Sequence, residues 1–188
     1  MNNNQKELIF GTSDDLSYTT LDYVLKKKTK IHTSFEYRSF VKLANLYRKK
    51  KYKNKIILKL KDTEPKELLK KLNKFFFLFK TEQLFAVQLS GSSIFSKNFD
   101  EIYNFIQKFI EEKKIEKLYL ENYWEYSKTN IKHIQKYNFD GMVIPYNLIE
   151  REIDNDLLKY LRFKKIKIIS LRVFAGNFLE KNSKTFLN

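Results

Sequence analysis

Leu84-Phe-Ala-Val-Gln-Leu89 is a short apolar run with little polar alternation, and Ile115-Glu-Lys-Leu-Tyr-Leu120 is a second. Between them Ile102, Phe105, Ile106, Phe109 and Ile110 recur at helical spacing and draw one apolar stripe along a charged segment. The order is strand, amphipathic helix, strand. Strands without alternation are covered on both faces, and parallel pairing needs a crossover, which the intervening helix supplies. This stretch therefore reads as a β-α-β unit.

The same unit repeats in both directions along the chain. Leu8 to Gly11, Ile31 to Thr33 and Ile56 to Leu60 precede it, and Gly141 to Pro145 and Ile166 to Leu171 follow at nearly even intervals. Leu21, Val24 and Leu25 mark one more helical stripe. With only 4 glycines and 2 prolines, helix starts must be taken from polar residues such as Asn98 to Asp100 and Ser127 to Thr129. Seven strands alternating with helices predict an α/β protein with a parallel sheet. No linker or composition shift divides the 188 residues, so a single domain over 1–188 is expected. A doubly wound sheet and a β/α barrel both fit the alternation. Gly11-Thr-Ser-Asp-Asp15 lacks the glycine-rich turn that a Rossmann sheet places after its first strand.

The absence of cysteine excludes disulfides, thiolate metal sites and cysteine nucleophiles. The longest apolar run, Phe75 to Phe79, is far shorter than the roughly 20 residues of a membrane helix. The first residues, Met1-Asn-Asn-Asn-Gln-Lys6, contain no apolar signal core. A soluble, cytoplasmic protein that does not engage membranes is expected. His32 and His133 lack ligand spacing and cysteine support, so no metal site is expected.

The net charge of +15 comes from 32 lysines and only 5 arginines. Readers of phosphate and base edges favour the planar fork of arginine, so charge alone is weak evidence for nucleic acid. Its placement is more informative. Lys26 to Lys30, Arg48 to Lys55, Lys113 to Lys117 and Lys164 to Lys167 fall where a helix ends and a strand begins. Acids including Asp14, Asp15, Glu36, Glu121, Glu150 and Asp154 fall after strands. Helix dipoles favour this arrangement, cations at carboxyl ends and anions at amino ends. No aromatic cluster interleaves the lysines in sequence. Specific nucleic-acid recognition is not expected, and a weak nonspecific binder remains an alternative reading.

Four motifs stand at strand ends in a telling order. They are Gly11-Thr12, Ile115 to Asn122, Asp140-Gly-Met-Val-Ile-Pro-Tyr-Asn-Leu-Ile-Glu-Arg151 and Ala175-Gly-Asn-Phe-Leu179. In that order and spacing the chain, from about Leu8 to Leu179, resembles the aldo-keto reductase family. The resemblance implies a parallel (β/α) TIM-type barrel, truncated to about seven βα units, with NADP(H) as cofactor and a small carbonyl compound as substrate.

The family's tetrad is aspartate, tyrosine, lysine and histidine. Within Ile31-His-Thr-Ser-Phe-Glu-Tyr37 the resemblance places Tyr37 on the general acid and His32 on the aspartate. Lys59 takes the catalytic lysine's place in Ile56-Ile-Leu-Lys-Leu60, and Ser90 stands for the histidine. A tyrosine acid needs a neighbouring ammonium to ease release of its proton to the carbonyl oxygen. Asn122 matches the asparagine that binds the nicotinamide amide, Glu121 replaces its serine neighbour, and Val143 replaces a glutamine. Arg172, with Lys181 and Lys184, is left for the phosphate end, which in barrels lies after strands seven and eight.

The implied function is that of an aldo-keto-reductase-like NADPH-dependent carbonyl oxidoreductase with a degenerate tetrad and little or no activity. The alternative is a noncatalytic relative using the barrel mouth or an open sheet edge. A sheet stopping at seven strands would expose Leu8 to Gly11 and Ile166 to Leu171, inviting homo-oligomerisation. Otherwise Phe178, Leu179, Phe186 and Leu187 would fold back as a plug. Trp124 is expected near the mouth.

Overall fold

The computed structural model describes residues 7–61, 64–122, 131–151 and 153–173. Seven strands are hydrogen-bonded in chain order: β1 (Ile9–Gly11), β2 (Lys30–Ser34), β3 (Ile56–Leu60), β4 (Leu84–Leu89), β5 (Ile115–Glu121), β6 (Gly141–Pro145) and β7 (Lys167–Leu171). β1 with β2, β2 with β3, β5 with β6 and β6 with β7 all pair parallel. Sequential order with no reversal is the order of a β/α barrel and excludes the doubly wound alternative, whose strand order turns back on itself. The Ser127 to Thr129 start, Trp124, Lys181, Lys184, the Ala175 to Leu179 turn and the plug residues lie outside the described residues.

The described residues group into two compact units, one within Met1–Gln88 and Ser96–Lys117 and the other within Leu89–Phe95 and Leu118–Asn188. In the first, α1 (Tyr18–Lys26), α2 (Phe40–Lys50), α3 (Pro65–Phe79) and α4 (Phe99–Glu111) cover the strands. α1 starts where the Ser17 hydroxyl accepts from the Thr20 N–H at 3.1 Å, and it buries Leu21, Val24 and Leu25. α3 opens with Pro65 in its first turn, where a missing N–H is harmless. Its Phe75 and Phe79 stack at 4.4 Å, and Phe79 meets Phe40 and Tyr47 of α2. α4 buries Phe99, Ile102, Ile106 and Phe109, with Phe105 and Ile110 at the margin of the stripe.

Buried Asn54 locks the approach to β3. Its amide donates to the carbonyls of Leu25 and Thr29 at 3.0 Å, and its own carbonyl accepts from the Tyr47 hydroxyl at 3.1 Å. The end of α1, the body of α2 and the approach to β3 thus meet at one residue, through its side chain and its backbone carbonyl.

In the second unit β6 is buried throughout, while α5 (Asn155–Phe163) begins at Asp154, whose carboxylate accepts from the N–H groups of Asp156 and Leu157. β7 departs from the expectation of a covered strand. None of its residues is fully buried, and Ile168 is 38% exposed. The physical reason is its place at the end of the strand order, with β6 as its one strand partner among the described residues. β1 stands at the other end, preceded by Leu8, which is 73% exposed.

Helix ends are unusual in their chemistry. Lys28, Lys51, Lys80, Lys113 and Lys165 all adopt the left-handed conformation, with φ between 48° and 58°, just after α1 to α5 in turn. Glycine is the usual residue there because a side chain costs about 1–2 kcal/mol in that region. A chain with 4 glycines places lysine instead, where the ammonium can offset the negative helix end.

Candidate functional site

Each residue matched to the tetrad lies in or just after a strand: His32 in the middle of β2, Tyr37 three residues beyond it, Lys59 one residue before the end of β3 and Ser90 directly after β4. β2 and β3 pair in a register that sets His32 opposite Ile57 and Ser34 opposite Lys59. The end of β1 fixes the histidine's backbone, since both the N–H and the hydroxyl of buried Thr12 reach the His32 carbonyl, at 3.1 and 3.2 Å. Gly11-Thr12 is therefore a structural clasp at this point.

Beyond β2 the chain turns sharply. The Tyr37 N–H donates to the Ser34 carbonyl at 3.1 Å, and this turn sets the Tyr37 ring 6.0 Å from the His32 ring. Ser34 lies with its hydroxyl against the Glu36 carboxylate and 3.1 Å from the Lys59 carbonyl. Burial pushes the Glu36 carboxyl up, but hydrogen bonds from Ser34, its own backbone and Lys71 outweigh that and hold it below its usual range.

The imidazole of His32 is the most perturbed group of the site. Burial lowers its pKa to about 4, the Lys59 ammonium pushes in the same direction, and the nearby Gln88 amide opposes them weakly. That contact falls short of hydrogen-bond geometry. The Nε2 of His32 and both amide atoms of Gln88 are buried without a hydrogen-bond partner. Burial of the ring thus leaves it unsatisfied on one side. Gln88 itself was not singled out in sequence. Its signal was a lone amide in the otherwise apolar Leu84–Leu89 strand.

This cluster therefore sets a neutral imidazole and an unsatisfied amide among the side chains of Lys59 and Tyr37. A carboxylate in the position of His32 would form an ion pair with the lysine; a neutral imidazole cannot. The unsatisfied donors and acceptors suit a polar, uncharged group such as a carbonyl or amide.

The second unit holds the remaining candidates. The hydroxyl of Ser90 lies 3.1 Å from that of Ser92, and its carbonyl caps the following turn by accepting from the Ser93 N–H at 3.0 Å. Asn122 follows β5, its N–H donates to the Val143 carbonyl at 2.8 Å, and its side chain is 1% exposed. Neither Nδ2 nor Oδ1 has a partner. Glu121 is equally buried.

Arg172 is exposed after β7, left-handed at φ 55°, with Nη1 3.8 Å from Glu150. Its carbonyl accepts from Asn147, and the Asn147 side chain also accepts from the N–H groups of Ile149 and Glu150 at 2.8 Å. In the Pro145-Tyr-Asn-Leu run the asparagine thus organises a turn that joins β6 to the end of β7. Among the described residues no group of three His, Asp or Glu is placed to hold a metal ion, and no helix is long and apolar enough to cross a membrane.

No protein-family model and no curated protein matches this sequence. Solved structures do match. The glycerol dehydrogenase of Gluconobacter oxydans superposes with a TM-score of 0.72 at 17% identity, over 91% of this chain and 61% of its own. An aldo-keto reductase of Bacillus halodurans in its holo form gives 0.70 at 14%, over 87% and 61%. An aldo-keto reductase of Brucella melitensis gives 0.70 at 13%, over 93% and 74%. The chain thus spans about three fifths to three quarters of the length of these proteins. At such identities the likeness establishes the fold alone, the β/α barrel architecture of these proteins, with seven strands among the described residues.

Proposed function

We propose that this chain is an aldo-keto-reductase-like oxidoreductase relative with a degenerate tetrad, which retains an affinity for the nicotinamide group but reduces carbonyl compounds at or near background. The observation that carries this reading is the buried, neutral His32 beside Lys59, at the position the family gives to an aspartate. A neutral imidazole there cannot supply the anionic charge that a carboxylate at the same position would set against the lysine. Groups that act as one catalytic unit lose far more than their separate shares when one is removed.

The residues fit NADP(H) at one end. Both amide atoms of Asn122 are buried and unsatisfied, as a side chain awaiting a carboxamide would be. At the phosphate end Arg172 is exposed and already faces Glu150. When bound, NADPH would supply a hydride; Asn122 would give the carboxamide contact, and Tyr37 would be the proton donor that the resemblance implies.

The test is titration of NADPH, followed by its own fluorescence, together with an assay of NADPH oxidation with common aldehydes and ketones. Weak binding that is lost in Asn122→Leu, with turnover at background, supports the reading. Aldehyde-dependent oxidation that disappears in Tyr37→Phe would establish an active reductase instead.

A second reading, a noncatalytic protein that self-associates through a sheet edge, is favoured by the exposure of β7 and of Leu8. Light scattering decides it, a monomer across the accessible concentration range being the contrary result.

A further inference from the structure

The geometry points to a binding track for single-stranded nucleic acid at the amino ends of β3, β4 and β5, a face the reductase reading leaves unused. An open groove of about 1090 Å³ runs there, lined by Arg48, Lys51, Lys53, Lys55, Lys80 and Lys113. Only Glu82 and Glu116 oppose these six cations, and Glu116 is taken up by Lys55 at 3.6 Å. Lys51, Lys53, Lys80 and Lys113 make no ion pair among the described residues.

Helix dipoles account for one cation at each helix end. The parallel fold brings the ends of α2, α3 and α4 to one face, where with the Tyr52 to Lys55 approach they line one concavity.

The occupant follows from what adjoins the groove. A second groove of about 760 Å³ shares Thr81, Glu82, Gln83 and Lys113 with the first, so the two are continuous. It is walled by the half-buried rings of Phe76 and Phe105, with Lys108 at its rim. A cationic channel alone would take any polyanion. A cationic channel leading onto partly exposed aromatic faces suits a chain of phosphates that carries flat bases, because phosphates track the charges while bases lie on the rings. The charges are spread and none of them forms a deep cradle, which fits an extended strand better than a single phosphate. Contacts dominated by lysine predict no preference for base sequence.

The probe is a fluorescent oligothymidylate of about 15 nucleotides, titrated with the full chain across a range of salt. The discriminating variant is Lys51→Gly with Lys80→Gly and Lys113→Gly, which removes the charges while relieving the backbone. It is expected to melt at a higher temperature than the parent. Its log–log salt slope should fall by about 2, and its binding at about 0.1 M salt should weaken on the order of 100-fold. Phe105→Leu should weaken binding by about 5-fold or more with the salt slope unchanged.

The control removes equal charge elsewhere, with Lys132, Lys136 and Lys159 all changed to Gln. Equal loss in the control and the glycine variant would reduce the effect to net charge and overturn the track. Absence of binding by the parent at about 0.1 M salt, or full binding by the glycine variant, would overturn it too. Phosphatidylserine vesicles held more tightly than the oligomer through the same lysines would replace it with a lipid surface.

Discussion

Gly141 lies directly opposite Tyr119 across the β5–β6 pair, and the tyrosine ring fills the space a side chain at 141 would need. A Cβ there would stand 2.9 Å from Cδ1 and Cε1 of the ring. Gly141→Ala is therefore expected to destabilise the protein by about 1–3 kcal/mol, because the buried ring has little room to withdraw. Tyr119→Leu frees that space, so the double variant should be less destabilised than the sum of the two single changes. Urea denaturation of all three variants measures this, and strict additivity would refute the contact.

Gly91 and Gly11 complete a ranking. A Cβ at Gly91 would fall within contact distance of the Glu121 carbonyl oxygen, and backbone cannot swing aside as a ring can. Gly91→Ala should therefore exceed Gly141→Ala in its cost, by about 1 kcal/mol or more. Gly11 has nothing within 4 Å of its missing side chain, so Gly11→Ala should stay within about 0.5 kcal/mol of the parent. Any other order of melting temperatures would be at odds with these close approaches.

The strands were legible because period and composition agree. β3, β4 and β6 have the bounds their apolar runs gave, β1, β5 and β7 differ by one residue at one end, and β2 is longer by one residue at each end. The barrel order was not in the periodicity; it came from the motif resemblance and from the sheet itself. Of the site, the residue types were readable but their states were not. Nothing in Ile31-His-Thr foretold that His32 would be enclosed and neutral, since enclosure is decided by Gln88 and Lys59 on other strands. Asn147 was visible only as part of a motif, and its turn-building bonds depend on Arg172, distant in sequence. Phe76 and Phe105, on separate helices, likewise meet only in three dimensions.

The left-handed lysines give a prediction away from both grooves. Lys28→Gly and Lys165→Gly should each stabilise the protein by about 0.5 kcal/mol, the relief of an unfavourable φ exceeding the added freedom of the unfolded chain and the lost dipole contact. Lys28→Ala keeps the strain and loses the charge, so it should give no gain. Chemical denaturation at one pH separates the two outcomes, and a destabilised Lys28→Gly would contradict the assignment of strain.

Stability should also fall with mild acid because of His32. In the unfolded chain its imidazole takes up a proton near pH 6.5, whereas in the folded protein it stays neutral down to about 4. Between those values the unfolded state binds more protons, so its population grows as the pH drops, and the stabilisation present above 6.5 is lost progressively toward 4. From pH 6.5 to about 5 this amounts to about 2 kcal/mol. The carboxylates held low by lysines, Asp15, Asp22, Glu67 and Glu112, act in a lower window, because their unfolded values are 3.8 for aspartate and 4.5 for glutamate. His32→Leu should therefore flatten the dependence of melting temperature on pH between 6.5 and about 5 while leaving the steeper loss below about 4.5 in place. An unchanged slope in that variant would mean that the imidazole is reached by water and protonates as it does in the unfolded chain.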